Sequence, residues 1–202
     1  MSGASWPRAV FERIHADSAD PWGVGSRPYE RDKYRRTLAL LAGLRFHHAL
    51  ELGCSIGVMT ACLARQCDHL LAVDVAEAAL TQARHRCANL KGVTFYRGQL
   101  PDDFPELPAA SCDLIIISEL LYFLSRADIA RLATHCLRVR QPRAPIVLVN
   151  WTGPTDTPCN GNEAARRFIA TCLAAGLHVT NAQHHAHYRL DMLGHVTKAD
   201  SQ

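Results

Sequence analysis

Short apolar runs recur along this chain between polar stretches punctuated by glycine and proline. Phe46 to Leu52, His69 to Asp74, Val93 to Tyr96, Cys112 to Ile117 and Pro145 to Trp151 each have strand length and strand composition. Between them the apolar residues fall at helical spacing. Val58 to Ala64 follows the first run, Ala79, Leu80, Ala83 and Cys87 mark residues 76–87, and Ile129, Leu132, Ala133, Cys136 and Leu137 mark a further helix. Ala165, Phe168, Ile169, Cys172 and Leu173 do the same for residues 162–175, which Gly176 closes. Two last strands, His178 to Ala182 and His184 to Leu193, make an antiparallel hairpin. The alternation predicts an α/β fold: a Rossmann-like, seven-stranded sheet with helices on both faces. Cys112 to Ile117, apolar almost throughout, reads as a central parallel strand buried on both sides.

Residues 1–35 have another character. Val10-Phe11-x-x-Ile14 suggests a short amphipathic turn, and proline and glycine then isolate Trp22, Tyr29 and Tyr34 from the core pattern. From about Tyr29 a helix runs through Leu38, Leu40, Leu41 and Leu44, with Pro28 near its start. Residues 1–35 are expected to form a helical lid over a ligand, and residues 36–202 the main domain; edge packing of the three aromatics is the plainer alternative.

At 202 residues and 48% apolar the chain has enough material for one sizeable core. A formal charge of +3 with only local basic clusters gives no nucleic-acid face. The eight cysteines form no C-x-x-C pair and several sit in apolar patterns, so buried reduced thiols in a cytoplasmic protein are expected. No apolar run reaches membrane-spanning length, and the N-terminus has no hydrophobic signal region.

Candidate chemistry begins where the first strand ends, at Glu51-Leu52-Gly53-Cys54-Ser55-Ile56-Gly57. Glycines here let backbone approach a ligand and adopt dihedrals that other residues avoid. The second strand ends in Asp74, 23 residues after Glu51, followed by Val75. An acid at that point of a nucleotide-binding βαβ unit is placed to accept ribose hydroxyls. This E-x-G-x-S-x-G pattern resembles the first motif of class I S-adenosylmethionine-dependent methyltransferases, E/D-x-G-x-G-x-G, with Ser55 replacing the middle glycine. It differs from the G-x-G-x-x-G of nicotinamide-dependent dehydrogenases. The resemblance implies S-adenosylmethionine as cofactor. Gly53, Ser55 and the loop backbone would hold the methionine portion, Asp74 and Val75 the ribose, and Gln99 and Leu100 the adenine. Arg31 is a candidate partner for the methionine carboxylate, because a guanidinium matches a carboxylate in two bonds.

Ala19-Asp20-Pro21-Trp22, Pro28-Tyr29-Glu30-Arg31-x-Lys33-Tyr34, the loop at 51–57 and Ser118-Glu119-Leu120-Leu121-Tyr122-Phe123-Leu124 together narrow the resemblance to the nodulation protein S (NodS) family. It implies N-methylation of the free amine on the terminal non-reducing glucosamine of a deacetylated chitooligosaccharide in Nod factor biosynthesis. A methyltransferase of another small-molecule acceptor, or a non-catalytic S-adenosylmethionine-binding protein, are the alternatives. The fourth strand lacks the [DNS]-P-P-[YFW] signature of amino-group nucleic-acid methyltransferases.

Parallel sheets bind ligands at the carboxyl ends of their strands, so Ser118 and Glu119 should face the junction of cofactor and acceptor, with Ser118 a candidate cofactor-binding residue. An amine attacks only when neutral, so Glu119 is the candidate base, with Tyr122 hydrogen-bonding it or the sugar; a helix-capping Glu119 is the alternative. Trp22, Tyr29 and Trp151 are candidates for a sugar platform. His184, His185 and His187 read as strand surface, with 185 and 187 on one face, and no metal is expected.

Overall fold

The computed structural model describes residues 3–195, so residues 1–2 of the expected lid and 196–202 of the expected main domain lie outside the described residues. The fold is α/β, with seven strands in the order β3-β2-β1-β4-β5-β7-β6. Two compact units divide the chain, one of Trp6–Pro105 and one that joins Ser5 to the residues from Glu106 onward.

In the first unit β1 (Phe46–Leu52), β2 (Cys67–Asp74) and β3 (Val93–Arg97) run parallel, with Leu50 opposite Leu71 and Ala72 opposite Phe95. Helix α3 (Val58–Leu63) leaves the glycine loop, and α4 (Glu77–Arg86) packs on β2 and β3 through buried Ala79, Leu80 and Ala83. The residues before β1 belong to this same unit. They form α1 (Arg8–Asp17), a ten-residue helix where the apolar pattern suggested only a turn, and α2 (Pro28–Ala39), whose first residue is the proline. Helix α2 stops short of Leu44. From Leu40 onward the amides bond three residues back, Leu40 to Thr37 and Leu41 to Leu38, and Gly43 turns left-handed at φ 79°.

The second unit holds β4 (Leu114–Ser118), buried along its whole length as its composition requires, paired in parallel with β5 (Ile146–Trp151). β6 (His178–His184) and β7 (Tyr188–Gly194) close it as an antiparallel hairpin, with Trp151 of β5 opposite Tyr188 of β7. Helix α5 (Arg126–Val139) is capped by the Ser125 hydroxyl, which accepts the Asp128 N–H at 3.1 Å, and α6 (Gly161–Ala174) by the Asn160 side chain on the Glu163 N–H at 2.9 Å. Gly161 is required there, since a Cβ would fall 1.7 Å from the Trp151 carbonyl oxygen.

One correction concerns the histidines. β7 begins at Tyr188, so His185 and His187 occupy the turn before it and share no strand face. Each instead stacks on an aromatic ring, His185 on Tyr188 at 4.3 Å and His187 on Trp151 at 5.3 Å.

Beneath α6, Arg189 and Asp191 of β7 form a two-bond ion pair, Nε to Oδ2 and Nη2 to Oδ1, both 2.7 Å, with Asp191 fully buried. Breaking such a pair leaves a charge in the interior. Asp191→Ala is expected to cost about 3–5 kcal/mol in urea unfolding, and the double replacement Arg189→Met with Asp191→Leu clearly less, because it leaves no orphan charge.

Candidate cofactor and acceptor sites

In the first unit the loop after β1 is left-handed at every second residue: Gly53 at φ 85°, Ser55 at 47° and Gly57 at 78°. Glycine takes these angles freely, whereas Ser55 does so at a cost of about 1–2 kcal/mol. Gly57 answers a second demand, since a Cβ would lie 2.8 Å from Cβ and 2.9 Å from Cα of Ala83 in α4. Asp74 holds the loop in place. Its Oδ2 accepts the Ser55 N–H at 2.8 Å and its Oδ1 the Ala76 N–H at 3.0 Å. Burial raises the Asp74 carboxyl above the ordinary range, and these backbone bonds pull it back. The Ser55 hydroxyl oxygen is buried and has no hydrogen-bond partner among the described residues. An orphaned hydroxyl at the bend of a glycine loop, beside an acid with lone pairs remaining, fits a polar ligand.

The other residues expected at the cofactor are brought to this unit in different ways. Val75 supplies its carbonyl to Arg97, and Leu100 is buried. Gln99 differs from expectation: its Oε1 accepts the Arg8 N–H at 2.9 Å and its Nε2 donates to the Trp6 carbonyl at 3.3 Å. Its carboxamide therefore fastens the N-terminal segment, and an adenine contact requires those bonds to open. Arg31 is exposed on α2, with Nη1 donating to the Ser26 carbonyl at 3.1 Å. Trp22 packs with Phe11, Tyr34 and Val58 on a cluster of Val24, Ile56, Ala76 and Ala79, so this aromatic lies against the glycine loop. Tyr29 stands beside Lys33, whose ammonium is 5.3 Å from its ring centre and is buried in a pair with Glu30. His15, which no sequence pattern singled out, is buried in α1 with its ring edge-on to Trp22 at 5.2 Å.

In the second unit Glu119 follows β4 directly and is itself left-handed, at φ 54°. A glutamate there carries backbone strain that its surroundings must hold. Its own N–H donates to the Val149 carbonyl at 2.8 Å, while its Oε2 accepts both the Tyr122 hydroxyl and the Trp151 N–H, each at 2.8 Å. Glu119 thus caps no helix. The chain runs on through a 3₁₀ turn (Leu121–Phe123) to α5, whose cap is Ser125. Ser118 is buried beside it at the strand end. The Trp151 indole N–H reaches the Pro154 carbonyl at 3.3 Å, and Gly153 lies so close to the ring that a Cβ would come within 2.4 Å of Cζ2. Glu119, Tyr122 and Trp151 are therefore one constellation, and His187, unforeseen from sequence, extends its aromatic surface. Among the described residues no group of three or more His, Cys, Asp or Glu side chains is placed to hold a metal ion.

The strand order, with a glycine loop after β1 and an acid ending β2, defines the class I methyltransferase fold. The crystal structure of the N-methyltransferase NodS from Bradyrhizobium japonicum WM9 with S-adenosyl-L-homocysteine matches it with a TM-score of 0.77 at 19% identity, covering 94% of this chain and 99% of that one. The chain belongs to the nodulation protein S (NodS) family, whose sequence profile matches residues 9–140. Nodulation protein S of Rhizobium tropici is 30% identical over 131 residues, 63% of this chain and 53% of that protein. Its counterpart in Sinorhizobium fredii NGR234 is 28% identical over 131 residues, 63% of this chain and 59% of that protein. The matched stretch thus spans little more than half of those relatives' length.

Glu51, the first acid of the loop motif, is 1% exposed, and burial followed by the nearby Asp74 charge pushes its carboxyl from 4.5 to about 7. A folded pKa above the unfolded one means stability that is full below about pH 4.5 and is lost as pH rises through 7. The loss is on the order of 3 kcal/mol. Glu51→Gln should therefore flatten the fall in unfolding free energy between pH 5 and pH 8, read by urea titration at each pH.

Proposed function

We propose that this chain is an S-adenosylmethionine-dependent N-methyltransferase acting, in the cytoplasm, on the free amine of the terminal non-reducing glucosamine of a deacetylated chitooligosaccharide. Family membership supports the reaction class and the acceptor. The observation that carries the cofactor half is the Asp74 carboxylate fixed by the Ser55 and Ala76 amides beside an orphaned Ser55 hydroxyl. The eight free thiols, seven of them buried, suit a reducing compartment, and no described helix is long and apolar enough to cross a membrane.

S-adenosylmethionine, when bound, supplies a methyl group on a positively charged sulfur. In this reading Gly53 and Ser55 admit the methionine portion, Asp74 accepts ribose hydroxyls with Val75 beside it, Leu100 borders the adenine, and Gln99 reaches it once released from the N-terminal backbone. Arg31 pairs with the methionine carboxylate by swinging from the Ser26 carbonyl. Residues 1–35 serve as the lid of the domain formed by residues 36–202, with Trp22 and Tyr29 on its inner side.

At the acceptor the nitrogen must present a lone pair, so only the neutral amine attacks. Glu119 accepts an N–H of the amine and takes up its proton. Its Oε2 is anchored by Tyr122 and Trp151, so the carboxylate is oriented before the substrate arrives. Transfer would need the amine lone pair aimed along the donor's carbon–sulfur bond, with Gly53, Ser55 and Asp74 holding the donor and Glu119 orienting the amine. Ser118, at the strand end before Glu119, borders the cofactor, and Trp151 offers apolar surface to the sugar.

Calorimetric titration with S-adenosylmethionine and with NAD, then mass spectrometry of chitooligosaccharides with and without a free terminal amine, tests the reading. A one-methyl mass gain confined to the free-amine oligomer is expected, and NAD binding alone would overturn it. S-adenosylmethionine binding without any mass gain would leave a different acceptor or a non-catalytic binder. Asp74→Ala should weaken cofactor affinity at least tenfold, whereas Glu119→Gln should leave it near wild type and lower turnover about 10²-fold or more. Full activity of Glu119→Gln across pH would remove the base role.

A further inference from the structure

We infer that His15 of the lid helix α1 is a second ribose-binding residue, its imidazole N–H donating to a ribose hydroxyl whose hydrogen is accepted by Asp74. The inference rests on the cofactor reading above and adds to it a contact that the glycine loop and strand-end acid do not contain.

Asp74 alone can serve only half of a ribose diol. An ionised carboxylate only accepts, so it can satisfy the hydrogens of a ribose diol but not the oxygens. A complete site needs a donor facing the same sugar. Both Asp74 oxygens already accept one backbone N–H each, from Ser55 and Ala76, which fixes the carboxylate's direction. The charge of Asp74 acts on His15, together with those of Glu12 on the same helix and Asp20 in the following loop. His15 is 6% exposed, and its Nδ1 is buried with no hydrogen-bond partner among the described residues. A buried ring nitrogen left so is costly, and the Trp22 contact supplies nothing that offsets it. Burial outweighs the three carboxylates and lowers the His15 pKa, so the ring is neutral near pH 7, with one donor and one acceptor nitrogen.

Helix α1 is held by groups other than His15. Glu12 Oε1 accepts the Glu77 N–H at 3.2 Å and the Arg97 guanidinium at 2.7 Å, and Gln99 ties down Trp6 and Arg8. The helix is therefore latched to the chain just past Asp74 and to the end of β3. Replacing the ring should leave the latch standing.

The test is calorimetry of the full chain with S-adenosylhomocysteine and with its 2′-deoxy and 3′-deoxy analogues, for wild type and His15→Phe. About a tenfold loss of affinity for S-adenosylhomocysteine is expected in the variant, collapsing to less than about twofold with the analogue that lacks the contacted hydroxyl. His15→Gln, which keeps a donor, should recover part of the loss. The melting temperature of unliganded His15→Phe should equal or exceed that of wild type, because a buried unsatisfied nitrogen is gone. Equal affinity of variant and wild type, or a loss that persists in full with both deoxy analogues, would overturn the assignment. Failure of wild type to bind S-adenosylhomocysteine would instead overturn the cofactor reading, and this inference with it.

Discussion

The first unit depends on one carboxylate. Asp74 ends β2 and takes the amides of Ser55 and Ala76, so a single side chain sets both the bend of the glycine loop and the first turn leading into α4. Without it, Ser55 would have no reason to stay left-handed, and the close seating of Gly57 on Ala83 would lose its guide. Ile56, between these two points, carries the cluster on which Trp22 and Phe11 pack. Loop, helix and N-terminal segment therefore share one electrostatic anchor.

Glu119 repeats the device in the second unit. Again an acid at a strand end accepts a backbone N–H from a neighbouring segment, here Trp151, and again the backbone nearby is left-handed, here at the acid itself. The Tyr122 hydroxyl donates to the same oxygen and completes the anchoring of that atom. Strain of this kind persists where surrounding bonds over-determine it, and that is how a group can be kept oriented without its ligand.

The strands were legible because each is a compact apolar run with a breaker on either side, and β1 begins and ends where its composition says. The glycine loop and Asp74 were legible because their chemistry depends on spacing within one βαβ unit, which a linear sequence preserves. What escaped reading depends on partners distant in the chain. Gln99 meets Trp6 and Arg8 across more than ninety residues, and no local pattern marks it as a fastener. His15 escapes notice because it falls outside the apolar pattern Val10-Phe11-x-x-Ile14 of α1, and the Trp22 ring that packs edge-on against it comes from the loop that follows. The histidines after β6 misled because alternating His-x-His imitates a strand, whereas the hairpin needs a turn at that point. The place of Glu119 at a strand end was legible, but its bond to Trp151 depends on the register of β4 and β5.

In the proposed cofactor reading, the Gln99 fastening ties ligand binding to the start of the N-terminal segment. One carboxamide can serve the Trp6 and Arg8 backbone or an incoming base, not both with the same atoms. Occupancy by a nucleotide and docking of residues 6–8 are then competing claims on one side chain, linked by a free energy that is equal whichever is measured first. If the proposed adenine contact forms, a ligand that turns Gln99 loosens the start of α1, and anything that pins the start of α1 weakens ligand binding to the same extent. In that reading residues 6–8 are a counterweight to the ligand, set by two hydrogen bonds of ordinary strength.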